Sequence, residues 1–218
     1  MSKYNSVKKA CEINDIIFKE IVNNFNFKTE KDISKYILKR FKQFKVKKAY
    51  DPIVANNSVT IHPKPRNKKL VRGFLILDFA CKVSGYCSDV TRTLFIGKAN
   101  RYEKTLYNLV LNCQRKCISK LNLNYSYADL EIYARLLLKN YKIYFIHSLG
   151  HGLGKKIHDE PRISAISKDK VTKGQFITIE PGIYFKDKKE IGIRVEDTIY
   201  IGNKIEVLSK FSKKLIEV

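Results

Sequence analysis

The run Phe74-Leu75-Ile76-Leu77-Asp78-Phe79-Ala80 has the length and apolar character of a buried strand, yet it carries a carboxylate. Burying one carboxylate without a partner is costly, so any fold containing this strand must bring a compensating group to Asp78. A second apolar strand, Val90 to Ile96, follows closely. If the chain reverses near Val83 and Ser84, Asp89 lies opposite Asp78, with their Cβ atoms about 5 Å apart on one hairpin face. Two carboxylates that close do not both stay ionised without a cation.

The same arrangement recurs with glutamates. Strands Phe176 to Ile179 and Ile193 to Ile201 bring Ile177-Thr178-Ile179-Glu180 and Ile193-Arg194-Val195-Glu196 to either side of the charged turn Lys186-Asp187-Lys188-Lys189-Glu190. Pairing about Lys188 sets Glu180 against Glu196, although Pro181-Gly182 and Gly192 are places where a bulge would shift the register. Arg194 projects to the same face as Glu196. A single strand acid is more often salt-bridged than catalytic. Here the only nearby cations are Arg92 and Arg194, and two arginines do not neutralise four buried acids, so a metal is the expected partner.

Helices precede each strand pair. Val7, Ala10, Cys11, Ile17, Ile21 and Val22 recur at helical spacing, and Thr29 with Asp32 forms a capping pair before Ile33, Tyr36, Ile37, Phe41 and Phe44. Asn100 with Glu103 and Ser126 with Asp129 open two more helices. A short strand, Ile143 to Ile146, and a glycine-rich segment follow. The order helix, helix, strand pair thus appears twice, with no Gly/Ser/Pro linker between the halves. The expected fold class is α+β, and the expected organisation is one two-lobed catalytic domain over residues 1–218, without a separate N-terminal domain.

Other features narrow the function. With hydrophobic residues at 44% the chain is expected to be globular, and no stretch approaches the roughly 20 apolar residues that span a bilayer. The N-terminus shows no apolar signal core, which makes a cytoplasmic address the default. The five cysteines form no CxxC pair, and Cys113 and Cys117, one helical turn apart, are expected to be small core residues. The net charge of +22 comes from lysines spread through every segment and reads as a solvated surface, not a nucleic-acid interface. The denser clusters, Lys64 to Lys69 and Lys186 to Lys189, fall in expected loops. Of four histidines, three (His147, His151 and His158) lie within residues 145–161, and glycines flank His151, letting the backbone approach a site closely. Four acids plus one imidazole suit Mn²⁺, Co²⁺, Fe²⁺ or Zn²⁺.

The order Asp78, Asp89, His151, Glu180, Glu196 resembles the ligand series of the pita-bread metallopeptidases, which include methionine aminopeptidase, aminopeptidase P and prolidase. The likeness runs from the first helix to about Ile201. Three runs resemble the proline-directed branch: Ser88-Asp89-Val90-Thr91-Arg92-Thr93 its SDxTRT, Glu180-Pro181-Gly182-Ile183-Tyr184 its EPGxY, and Arg194-Val195-Glu196-Asp197 its R-[IV]-E-D. His147, four residues before the ligand histidine, fits the same branch. His62 falls in Thr60-Ile61-His62-Pro63, where relatives often have His-Tyr.

The resemblance implies two pseudo-symmetric halves around a curved antiparallel sheet. It also implies two divalent ions, Mn²⁺ foremost, bridged by Asp89 and Glu196. Glu180 would take a proton from the attacking water, and His62 and His158 would hold the reacting carbonyl and oxyanion by hydrogen bonds. His147 would shape the substrate pocket and Arg194 would orient the carboxylates, while Tyr184 is either a substrate contact or a core tyrosine. The implied activity is removal of the N-terminal residue from Xaa-Pro peptides, by a monomer or homodimer. The chain has the size of a minimal methionine aminopeptidase, so initiator-methionine removal is the alternative. A third possibility is a non-enzymatic binding module for protein or nucleic acid, against which the retention of all five ligands speaks.

Overall fold

The computed structural model describes residues 1–187 and 189–218. Helix α1 (Lys3–Asn23) starts at Ser2, whose hydroxyl accepts from the Asn5 amide. Helix α2 (Glu30–Gln43) opens with the Thr29–Asp32 capping box, each side chain satisfying the other residue's free amide. Then come β1 (Lys47–Lys48), β2 (Ile53–Asn56), β3 (Gly73–Asp78), β4 (Cys81–Val83), β5 (Tyr86–Cys87) and β6 (Thr91–Ile96). The second half begins with α3 (Arg101–Lys120), behind an Asn100–Glu103 box, and α4 (Tyr127–Leu137), capped by Ser126. A 3₁₀ turn (Lys139–Tyr144) leads into β7 (Gly150–Gly152), β8 (Asp159–Ile163), β9 (Phe176–Ile179), β10 (Gly182–Lys186), β11 (Glu190–Arg194), β12 (Asp197–Ile201) and β13 (Ile205–Val207).

The expected α+β architecture and its twofold repeat are present. All pairings between these strands are antiparallel. The first half builds the sheet β2-β3-β6 and the second builds β13-β12-β9-β7-β8. Each half contains one long hairpin with a break in its middle. In the first, β3 pairs with β6 and β4 with β5 in one continuous register, interrupted at Phe79-Ala80 and Ser88-Val90. In the second, β9 pairs with β12 and β10 with β11, again in one register, interrupted at Glu180-Pro181 and Val195-Glu196. The candidate metal-binding acids sit at or beside these breaks, where the backbone leaves the ladder.

The second hairpin keeps the expected register: Gly182 pairs with Arg194 and Ile179 with Asp197, with no bulge between. Lys188, the expected pivot, lies outside the described residues. The first hairpin departs from expectation. Asp78 pairs with Thr91, not with Asp89, which lies two residues further along on the diagonal. The reversal is at Ser84–Gly85, both with positive φ (48° and 83°), the backbone of a tight two-residue hairpin turn in which glycine is at ease. A diagonal neighbour still shares the face, so both carboxylates point to the same side. Two further expectations are corrected. Ile143 to Ile146 is not a strand: residues 139–144 form the 3₁₀ turn, which stacks Tyr144 on Phe185 at 4.7 Å and leaves Ile143 and Ile146 exposed. Ile193 to Ile201 is two strands, β11 and β12, parted at Val195-Glu196.

Two apolar cores hold the halves. One packs α1 and α2 on the first sheet through Ile17, Phe18, Ile37, Leu75, Leu77 and Phe79. The other packs α3 and α4 on the second through Leu106, Val110, Leu130, Ile177, Ile193 and Ile199. Each such side chain, taken from water, contributes about 1.5–3 kcal/mol. All five cysteines are buried and unbonded, and Cys113 and Cys117 lie within the second core, as their spacing predicted. Among the described residues no helix is long and apolar enough to cross a membrane.

Candidate metal centre

The broken hairpins bring their acids together at the floor of a cleft of about 890 Å³. Ligand atoms of Asp89, His151 and Glu196 all lie within 4.8 Å of one another. His151 comes from β7, which is squeezed between neighbours. A Cβ on Gly150 would come within 2.0 Å of the Thr178 carbonyl oxygen, and one on Gly152 within 2.1 Å of the Glu160 carbonyl oxygen, so only glycine fits on either side of the imidazole. The His151 Nδ1 lies 3.0 Å from the Gly152 carbonyl. A carbonyl only accepts, so Nδ1 carries the proton and Nε2 keeps its lone pair for the site. That Nε2 stands 3.6 Å from Asp89 Oδ2 and 3.4 Å from Glu180 Oε1.

The other two expected ligands flank this trio. Glu180 lines the cleft, and its Oε1 accepts from the Thr178 hydroxyl at 3.3 Å. Asp78 is bonded by Arg194 through one oxygen and by the Tyr50 hydroxyl through the other. The same Tyr50 hydroxyl reaches Asp89 Oδ1 at 2.6 Å, linking the two aspartates of the first hairpin.

The charge balance is that of a site made for cations. Asp78, Asp89 and Glu196 are buried and Glu180 nearly so, yet one guanidinium, Arg194, faces them. Arg92 is committed elsewhere, paired with the buried Asp197 at 2.8 Å. Burial first, and then Asp78, pushes the Asp89 carboxyl well above the usual range; burial and Glu196 do the same to Glu180, and burial and Asp89 to Glu196. Burial holds the His151 imidazole down to about 4, so it is neutral and able to ligate at ordinary pH. Four carboxylates, one imidazole nitrogen and no thiolate suit a hard or borderline divalent ion. The residues fit a metal.

The remaining predicted residues divide. His62 and His158 line the cleft; His158 sits edge-on to His151, ring centroids 4.5 Å apart. His147 also lines it, its Nδ1 2.8 Å from the Ser148 carbonyl and its Nε2 3.2 Å from the Tyr184 hydroxyl. Burial, and next Arg194, lowers His147 to about 3. Arg194 lies behind the acids, donating from Nε to Thr91 Oγ1 at 3.1 Å and from NH1 to the Tyr184 hydroxyl at 2.6 Å. Tyr184 is 4% exposed, packs on Ala55 and Ile76, and does not line the cleft. Tyr50 is a residue of the site that the sequence did not single out. It lies in a connecting stretch, 28 residues from Asp78, and nothing in Tyr50-Asp51-Pro52 marks its hydroxyl as a carboxylate partner.

Known proteins resemble this chain over nearly its whole length. The model for metallopeptidase family M24 matches residues 5–203. An uncharacterised peptidase of Methanocaldococcus jannaschii is 37% identical over 216 residues, 94% of this chain and 61% of that protein. The Xaa-Pro dipeptidase of Pyrococcus furiosus is 34% identical over 220 residues, 96% of this chain and 62% of its own. The structure of a prolidase from Thermococcus sibiricus superposes with a TM-score of 0.94 at 32% identity, over 99% of this chain and 61% of that one. The chain thus spans about three-fifths of the length of these relatives.

Proposed function

This chain belongs to metallopeptidase family M24, and from that premise we propose that it is a metal-dependent exopeptidase cleaving the N-terminal Xaa-Pro bond of peptides. The observation that carries the proposal is the convergence of Asp89, His151 and Glu196 to within 4.8 Å in a cleft wide enough for a peptide.

Asp78, Asp89, His151, Glu180 and Glu196 would hold two divalent ions, Mn²⁺ foremost. Bound there, such ions supply Lewis-acid polarisation of a carbonyl and acidify water towards neutral pH. The protein's own groups do the rest. Glu180 Oε2 takes no hydrogen bond from the described residues and is the proton acceptor for the attacking water. His62 and His158, both on the cleft wall, donate hydrogen bonds to the substrate carbonyl as negative charge grows on its oxygen. His147 fixes one wall of the pocket, braced by Tyr184. Arg194 pairs with Asp78 and orients its carboxylate.

The proline preference has independent support. A prolyl imide has no N–H, so its site needs an apolar surface and no acceptor. Ile61, Pro63, Ile146 and Ile157 line the same cleft as the acids and supply that surface. Competition decides the substrate. We expect kcat/KM for Xaa-Pro di- and tripeptides to exceed that for a Met-Ala-Ser peptide, and preference for the methionyl peptide with Xaa-Pro bonds intact would overturn the proposal.

A further inference from the structure

Three residues of the first half meet three of the second in strict antiparallel order: Asp89 with Thr198, Thr91 with Glu196, and Thr93 with Arg194. Yet β6 and the β11–β12 stretch share no ladder, and one main-chain bond joins them, from the Glu196 amide to the Thr91 carbonyl at 3.1 Å. Side chains do the joining instead: the Arg92 guanidinium bonds the Glu196 carbonyl and the Asp197 carboxylate, and hydroxyls grip the backbone on either side of it. The Thr198 Oγ1 accepts from the Asp89 amide at 2.9 Å and donates to the Asp89 carbonyl at 2.6 Å. On the other side of the centre the Thr93 Oγ1 accepts from the Arg194 amide at 3.1 Å and donates to the Arg194 carbonyl at 2.8 Å. Between them the Thr91 Oγ1 donates to Glu196 Oε2 at 2.7 Å.

A hydroxyl has one donor and two acceptor sites, so one threonine can satisfy both backbone groups of the residue opposite. Such a clamp holds two strands apart by the width of a side chain, where a ladder would draw them together. All three threonines are buried, and Thr198 is itself anchored, its amide donating to Ser209 Oγ at 3.1 Å.

We propose that Thr93 and Thr198 are positioning residues whose reciprocal clamps set the spacing between the two halves, and with it the separation of Asp89 from Glu196. The inference rests on the metal-centre reading above. Each clamp grips the backbone of a residue at the centre, so the clamps act through Asp89 and Arg194 and touch no ion or substrate themselves. The fold would survive their loss, because most of the apolar core lies away from the clamps; the match between the halves would not.

The test is a calorimetric titration of chelator-stripped protein with Mn²⁺, the fold being checked by circular dichroism. Thr198→Val deletes the hydroxyl at nearly constant volume and should weaken Mn²⁺ binding by about 10–100-fold, the range for groups that orient metal ligands. Thr198→Ser keeps the hydroxyl and should restore binding near the wild-type level. A folded Thr198→Val that binds Mn²⁺ as tightly as wild type overturns the inference. A wild-type chain with a blank titration overturns the metal reading and the inference together, a distinct result. If Thr198→Val does not fold, amide exchange in the wild type decides. The Asp89 and Arg194 amides should slow together on adding Mn²⁺, and unchanged exchange at both while Mn²⁺ binds overturns the inference.

Discussion

Truncating Asp89 or Glu196 removes a carboxylate from the trio whose ligand atoms lie within 4.8 Å of one another. Asp89→Ala and Glu196→Ala should each abolish turnover and lower the metal content measured on purified protein, and retention of both would break the assignment. His158 differs, since it lines the cleft and is proposed to touch the substrate without holding an ion. His158→Ala should cut kcat by about 10²-fold or more with metal content intact, in line with loss of one oxyanion donor. If the ions leave with the activity, that role is wrong. The four acids and the histidine at the floor were legible because each stood in an apolar or glycine-bound setting where an ordinary residue would not. Tyr50 was not, since a lone hydroxyl in a loop gains its meaning only when the fold carries it to Asp78 and Asp89.

Elements were read best where local chemistry specifies them. The Thr29–Asp32 and Asn100–Glu103 boxes satisfy backbone groups within one turn, so both helix starts appear where the sequence places them. Asn100→Ala should cost about 1 kcal/mol in denaturant unfolding, the usual worth of such a cap. Glu103 adds a pH dependence. Burial works to raise its carboxyl, but the bonded Arg72 guanidinium and the Asn100 amide outweigh it and hold the group below its ordinary value. A depressed acid stabilises the fold above its unfolded pKa and loses that contribution as pH falls through its folded value. The stability gap between wild type and Glu103→Gln should therefore be flat from neutral pH to about 5 and shrink below about 4. A gap unchanged by acid would refute the Arg72 pairing. Register was read less well. The charged turn of the second hairpin predicted the register of its flanking strands, whereas the first turn was placed one residue too early because Val83 was given weight that Gly85 deserved. The 3₁₀ turn at 139–144 was hidden because its tyrosines pack on Phe185, a contact across 41 residues that no local pattern records.

At the scale of the whole chain, two halves, joined in part through the core by Phe74 and Phe95, meet at a seam crowded with carboxylates. A cation binding only the folded seam must stabilise the fold by linkage. Mn²⁺ in excess should raise the melting temperature and a chelator should lower it, while Asp89→Ala should melt at the same temperature with either. The repeat itself was visible in the order of elements, but the meeting of the halves was not, because it depends on side chains more than 100 residues apart, such as Thr91 and Glu196. The most direct measurement of the account is proline release from an Xaa-Pro dipeptide by chelator-stripped protein as Mn²⁺ is titrated back. Release should be absent in chelator and should rise to a plateau as bound metal approaches two ions per chain. Undiminished release in metal-free protein with chelator present would contradict the account.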